Sequence, residues 1–212
     1  MDDEIDIKLC LYGFSGVGCN QLSRVARGLK FSDDSPSVVT WGFGEKHLNI
    51  NQKNYLVEIW NGPGQKRFEA LLKIFLKEAK IVIFVYDITY RESFDSLSEY
   101  INIAKEILGN NFYIGAIVGN KIDLIENEKV SEIEARKFAE EVGFKFALVS
   151  AKKDINPFIK LLKELVEDFI KVKKEYNKKR KIEEEKKKKL KKRRKKNLKN
   201  IKKEWILKGK LL

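Results

Sequence analysis

Short runs of apolar, β-branched and aromatic residues recur along the chain at 5–12, 55–60, 81–86, 113–118 and 144–149, each bounded by Gly, Asn or Asp. Runs of this length and composition predict buried strands. A further strand is expected around His47. Between the runs the spacing changes. Apolar positions fall three or four apart at Val25 with Leu29, and then across 94–108, 133–142 and 155–170, which predicts helices with one apolar face. Strands alternating with helices predict an α/β fold, a mostly parallel central sheet with helices on both faces. Ligands of such sheets bind on the loops that leave the C-terminal strand ends.

Beyond residue 170 the pattern gives way to blocks of Lys and Arg, densest at 186–189 and 191–196. The formal charge of the whole chain is +13, and residues 171–212 hold 22 of the 44 basic groups against 5 of the 31 acidic ones. Residues 1–170 are therefore mildly acidic. The organisation expected is one folded domain, 1–170, followed by a basic tail, 171–212. Glu and Lys favour helix, but consecutive like charges repel, so partial helix at most is expected of the tail. Three readings of it stand open: a solvated charge run, an anchor on an anionic membrane surface using Leu198, Ile201 and Trp205, or a nucleic-acid-binding segment.

Cys10 and Cys19 are the only cysteines, too few for a disulfide framework, and a reducing, cytoplasmic setting is expected. The opening Met1-Asp2-Asp3-Glu4 has no leader pattern, Asp2 excludes a myristoylation signal, and no Cys near residue 212 offers a prenyl site. Membrane contact, if any, is then peripheral and unlipidated. A single histidine, His47, with no nucleophile or metal partner in view, argues against zinc chemistry and against His-based acid–base catalysis.

Chemistry-bearing motifs sit where the fold puts ligand loops. Gly13-Phe14-Ser15-Gly16-Val17-Gly18-Cys19-Asn20 follows the first strand, Asn120-Lys121-Ile122-Asp123 follows the run at 113–118, and Ser150-Ala151-Lys152 follows the run at 144–149. A fixed carboxylate such as Asp123 can accept both N–H groups on one edge of guanine, which adenine cannot supply. A site of this kind discriminates by about 10⁴ or more, because the wrong base leaves its polar groups unpaired. In order, spacing and strand context these motifs resemble the Ras/Rab-like small GTPases. Trp60-Asn61-Gly62-Pro63-Gly64-Gln65-Lys66-Arg67-Phe68 and Tyr86-Asp87-Ile88-Thr89 extend the likeness to residues 5–170.

The resemblance implies GTP or GDP as ligand. It assigns Asn120, Lys121, Asp123, Ser150, Ala151 and Lys152 to guanine, and Gly13, Ser15, Gly16, Val17, Gly18, Cys19, Asn20 and Gly64 to phosphate. In it Asn120 ties neighbouring loops, the stem of Lys121 covers a base face, and the Ala151 N–H meets the guanine oxygen. Gln65 holds the place of the water-positioning glutamine. Trp41 and Phe43 fall where protein effectors dock.

The phosphate machinery departs from the pattern. A working loop reads G-x-x-x-x-G-K-[ST], and here Cys19 and Asn20 replace the lysine and the hydroxyl. Asn61 replaces a metal-linked aspartate, and the switch threonine aligns with Val38, leaving Thr40 two positions off. Asn20, Asn61 and Thr40 are what remain as candidate metal ligands, and Mg²⁺ is put in doubt. The expectation is a monomeric guanine-nucleotide-binding regulatory protein with weak or absent hydrolysis. Two alternatives are a nucleotide-free scaffold targeted by its tail, and an active GTPase completed by a partner. A further reading gives Cys19, at a helix N-terminus, a lowered pKa and a reactive thiolate.

Overall fold

The computed structural model describes residues 5–33, 42–62, 69–109 and 111–208. Along them run β1 (Ile5–Gly13), α1 (Cys19–Ala26), β2 (Gly42–Ile50), β3 (Lys53–Asn61), α2 (Glu69–Leu76), β4 (Ile81–Asp87), α3 (Arg91–Asp95), α4 (Leu97–Leu108), β5 (Ile114–Asn120), α5 (Glu132–Val142), β6 (Lys145–Leu148) and α6 (Asn156–Lys208). A 3-10 segment, Ile122–Asn127, joins β5 to α5. The chain divides into two units, residues 1–169 and 170–212.

Six strands form one sheet in the order β2-β3-β1-β4-β5-β6. Every pairing is parallel except β2 with β3, as the α/β pattern predicts. The five apolar runs are β1, β3, β4, β5 and β6. Strand β2 is the antiparallel edge, and it joins β3 through Asn51 and Gln52, both at positive φ. Two left-handed residues in succession make the turn whose twist matches that of a hairpin. From β1 the chain runs through α1 to β2 and β3 on one side, and from β3 through α2 to β4 on the other side of β1, so the sheet reverses its winding there. The crevice of such a sheet opens beyond the C-terminal ends of its strands at that point. Gly13, Asp87 and Asn120 end β1, β4 and β5 there.

All seven residues of β4 are buried. Because successive strand residues point to opposite faces, both faces of the sheet centre are covered. Helix α4 buries Leu97, Tyr100, Ile101, Ala104 and Leu108, the three-and-four spacing of one helix face. Phe84 stands at the middle of this layer, 5.8 Å from the ring of Phe144 and parallel to it, with Tyr12 at 6.3 Å. Helix α5 begins with Ser131 accepting from the N–H of Glu134 and stops at Gly143, in the left-handed region.

Two expectations are corrected. The helix drawn through Val25 and Leu29 ends at Ala26, because Gly28 takes a positive φ and turns the chain, leaving Leu29 exposed. The tail, expected to be helical in part at most, lies within α6 as far as Lys208. No Gly or Pro interrupts it, Arg180 pairs with Glu184 one turn on, and Lys, Arg, Glu and Leu are all strong helix formers. Extending a helix adds one hydrogen bond per residue without a new nucleation step. Among the described residues no helix is long and apolar enough to cross a membrane.

Truncation of Phe84 tests where the core is centred. Phe84→Ala is expected to lower unfolding stability by about 3–5 kcal/mol in urea denaturation. A loss below about 1 kcal/mol would place the core elsewhere.

Candidate functional site

The loop after β1 owes its path to glycine. Gly16 and Gly18 have φ of 87° and 100°, a region that favours residues without a Cβ. A Cβ on Gly18 would stand 2.4 Å from the side-chain nitrogen of Asn120, and one on Gly13 would stand 2.2 Å from the Val85 carbonyl oxygen. Helix α1 follows with Gly18 at its N-cap and no side-chain cap. Its first N–H groups are thus left for an anion, the general property of a helix N-terminus.

Asn120, at the end of β5, is 2% exposed. Its Nδ2 donates to the Val17 carbonyl at 2.9 Å, and its Oδ1 accepts from the Ala151 N–H at 3.2 Å. One amide therefore clamps the loops after β1, β5 and β6. Next in sequence, Lys121 takes a positive φ, and its ammonium reaches Asp87 Oδ2 at 2.6 Å. Asp87 also accepts from the backbone N–H and the hydroxyl of Thr89. Ser150 donates to Asp123 Oδ1 at 2.5 Å and accepts from the Lys153 N–H, which fixes the direction of the carboxylate.

Gly16, Gly18, Asn120, Lys121, Asp123 and Ala151 border a cavity of about 320 Å³ lined also by Gln21, Phe31, Ser32, Asp33, Leu124 and Lys152. Its volume is at the lower end of small-molecule sites. The wall at 31–33 was not foreseen from the sequence. Gln21 holds it by a two-way bond, Nε2 donating to the Ser32 carbonyl and Oε1 accepting its N–H. Lys152 then spans the mouth, pairing with Asp33 at 2.9 Å and standing 5.5 Å from the centre of the Phe31 ring. An aromatic residue shortly after a helix beginning in a Gly-rich loop was the available signal. It is weak, since Phe31 belongs to no periodic pattern.

The sequence-assigned guanine residues Asn120, Lys121, Asp123, Ser150, Ala151 and Lys152 all come together here. The Ala151 N–H, assigned to the guanine oxygen, donates to Asn120 Oδ1 at 3.2 Å. Gly13, Ser15, Gly16, Val17, Gly18, Cys19 and Asn20 form the adjoining loop and helix start, with the Val17 side chain turned into the core. Thr40, Trp41, Gly64 and Gln65 lie outside the described residues.

At the phosphate end Asn61 donates its Nδ2 to Asn20 Oδ1. Both are neutral amides engaged with one another. Mg²⁺ is held by one or two carboxylates together with phosphate oxygens, and among the described residues no group of three or more His, Cys, Asp or Glu gathers to hold a metal. Of the cations lining the cavity, Lys121 and Lys152 are already paired.

Burial decides the state of the cysteines. It pushes the Cys19 thiol up to about 12, against a smaller opposing contribution from a backbone hydrogen bond, and pushes Cys10 to about 12 as well. The further reading of Cys19 as a reactive thiolate is thereby disfavoured: the residue is half-buried, and desolvation outweighs the helix terminus. Cys10 is buried and donates to the Phe75 carbonyl. On the opposite edge of the sheet Phe43 is 47% exposed and meets the Trp60 ring edge-on at 4.8 Å.

A model of the Ras family matches residues 8–171. Among curated relatives, a Ras-related protein Rab-21 from Geodia cydonium is 36% identical over 166 residues, 77% of this chain and 72% of that protein. A Ras-related protein Rab-2B from Dictyostelium discoideum is 33% identical over 149 residues, 70% and 73% of the two chains. The Homo sapiens Ras-related protein Rab-21 is 37% identical over 163 residues, 76% and 72%.

A thiol with pKa near 12 is ionised at pH 7 to roughly one part in 10⁵. Cys19 in the native protein is therefore expected to resist iodoacetamide at pH 7, and its labelling rate to rise about tenfold per pH unit above that. Complete labelling at pH 7 within the time taken by a free thiol would contradict this assignment.

Proposed function

This chain belongs to the Ras family of small GTPases, and on that footing we propose that it is a guanine-nucleotide-binding regulatory protein with weak or absent hydrolysis. One contrast within a single pocket carries the reading. The guanine end is a hydrogen-bonded network joining buried Asn120 and Ser150 to half-buried Asp123. The phosphate end offers two neutral amides bonded to each other.

In this reading Asp123 accepts both edge N–H groups of guanine. The stem of Lys121 lies along one base face, and the base oxygen takes a share of the Ala151 N–H. The long 3.2 Å bond from that N–H to Asn120 leaves it available. The diphosphate is held by the glycine loop and the first N–H groups of α1, without a lysine. A charge-assisted hydrogen bond contributes about 1.5–3 kcal/mol. Loss of the lysine and of two metal-linked contacts then weakens phosphate binding by on the order of a thousandfold or more. Phosphoryl transfer depends on neutralising the charge that spreads over the transferred group. Gln65 cannot supply that alone. Phe43 on β2, resting against Trp60, supplies an exposed aromatic for a protein partner.

A nucleotide-free scaffold is the second reading. It is favoured by the internal pairing of Asn20 with Asn61 and of Lys121 with Asp87, which leaves those groups satisfied without a ligand.

Calorimetric titration with GDP separates the two. The proposal expects saturable binding without competition from ADP, and a loss of about a hundredfold or more in Asp123→Ala. Absence of binding at millimolar GDP would leave the scaffold. Multiple-turnover GTP hydrolysis at a rate ordinary for small GTPases, lost in Gln65→Ala, would contradict the hydrolysis claim.

A further inference from the structure

We propose that the helical tail binds B-form duplex nucleic acid through its phosphates, without sequence preference. The inference is independent of the nucleotide site and rests on charge density, charge distribution and groove width.

Residues 186–194 carry eight Lys or Arg in nine positions, interrupted only by Leu190, and they lie within α6. At a rise of about 1.5 Å per residue, the segment places one positive charge per about 1.7 Å of its axis. Duplex DNA carries one negative charge per about 1.7 Å of its own axis. The two rods match in linear charge density with opposite sign.

Distribution around the helix separates a groove from a flat surface. At roughly 100° per residue, Lys186, Arg193 and Arg194 fall on one side and Lys188, Lys191 and Lys192 on the other, and all six side chains are exposed. A helix lying on an anionic bilayer brings one side to the headgroups. The other side stands about 10 Å away, a full Debye length at physiological salt. Half of this charge would then be wasted. Amphipathic surface helices also need an apolar face to insert. Between residues 173 and 197 only Tyr176, Ile182 and Leu190 are apolar, three in about seven turns. Of the three residues on which the membrane reading of the tail relies, Leu198 is exposed, and Ile201 and Trp205 lie outside the described side chains.

A groove with phosphates along both walls meets charge on both sides at once. The B-form major groove is about 12 Å wide and admits an α-helix, whose diameter is about 10–12 Å. The A-form major groove is too narrow. Of the eight basic residues six are Lys, point charges without the planar fork that reads guanine, which argues for backbone contact rather than base readout.

The test uses the full chain in fluorescence anisotropy with a labelled duplex DNA of about 20 base pairs, beside the same sequence as duplex RNA. Phosphatidylserine–phosphatidylcholine vesicles are assayed in parallel by co-sedimentation. Neutralising six to eight phosphates predicts a log–log salt slope of about −5 to −7, so affinity should fall a thousandfold or more between about 50 and 200 mM salt. Two triple variants keep the helix, because Gln is a good helix former: Lys186→Gln with Arg193→Gln and Arg194→Gln, and Lys188→Gln with Lys191→Gln and Lys192→Gln. Each should lower DNA affinity about tenfold or more and reduce the slope by about 2 to 3. On a flat surface a helix can turn its intact side to the charge, so neither triple would change binding more than about twofold. Capture by vesicles with no DNA binding, equal affinity for duplex RNA, or indifference of DNA binding to either triple would each overturn the proposal.

Discussion

The buried amide of Asn120 is the constraint on which the candidate site depends. Its two polar atoms bind Val17 and Ala151, 103 and 31 positions away in sequence, and so draw three loops to one point. A buried amide must be satisfied, since each unpaired polar atom costs about 1–3 kcal/mol. The parallel register brings Asn120 beside Asp87 and the end of β1 close by. Gly18 completes the arrangement, because any side chain there would collide with the amide. Fold and site are thus coupled through one residue: the sheet sets its position, and it sets the loops.

From this clamp the pocket divides into two chemically unlike ends. Toward the base, a carboxylate, a serine and two backbone groups are held by hydrogen bonds. A wrong base there would leave buried groups unpaired, which is the strongest form of discrimination available to a small site. Toward the phosphates the positive charge has gone. The two amides at positions 20 and 61 bond each other, and both cavity lysines already face carboxylates. On the proposed reading, binding free energy comes chiefly from the base, and the pocket responds to guanine more than to the number of phosphates attached to it.

Much of this was legible in the sequence, for identifiable reasons. Strands β4 and β5, buried on both faces, read as continuous apolar runs, and β1, β3 and β6 were legible from their apolar and aromatic content, whereas the edge strand β2 buries only alternate positions and was visible only around His47. The glycine loop and the motifs at 120–123 and 150–152 were legible because their residue types are dictated by backbone geometry and hydrogen-bonding chemistry. Phe31, Ser32 and Asp33 were not, since their role arises from where α1 ends and from the grip of Gln21. The end of α1 itself depended on Gly28 and overrode the spacing of Val25 and Leu29. The position of Cys19 at a helix N-terminus did not decide its chemistry, because burial there raises the thiol pKa and outweighs the helix end. The tail misled by local repulsion, which helix propensity and cheap extension outweigh.

The most direct test of the account is titration of a fluorescent GDP analogue into the purified chain, once with Mg²⁺ and once with excess chelator. The account predicts saturable binding with the same affinity, within about twofold, in both conditions, because on the proposed reading two neutral amides, at most weak ligands, stand at positions 20 and 61. A tenfold or greater loss of affinity on chelation would show a functioning metal centre and contradict it.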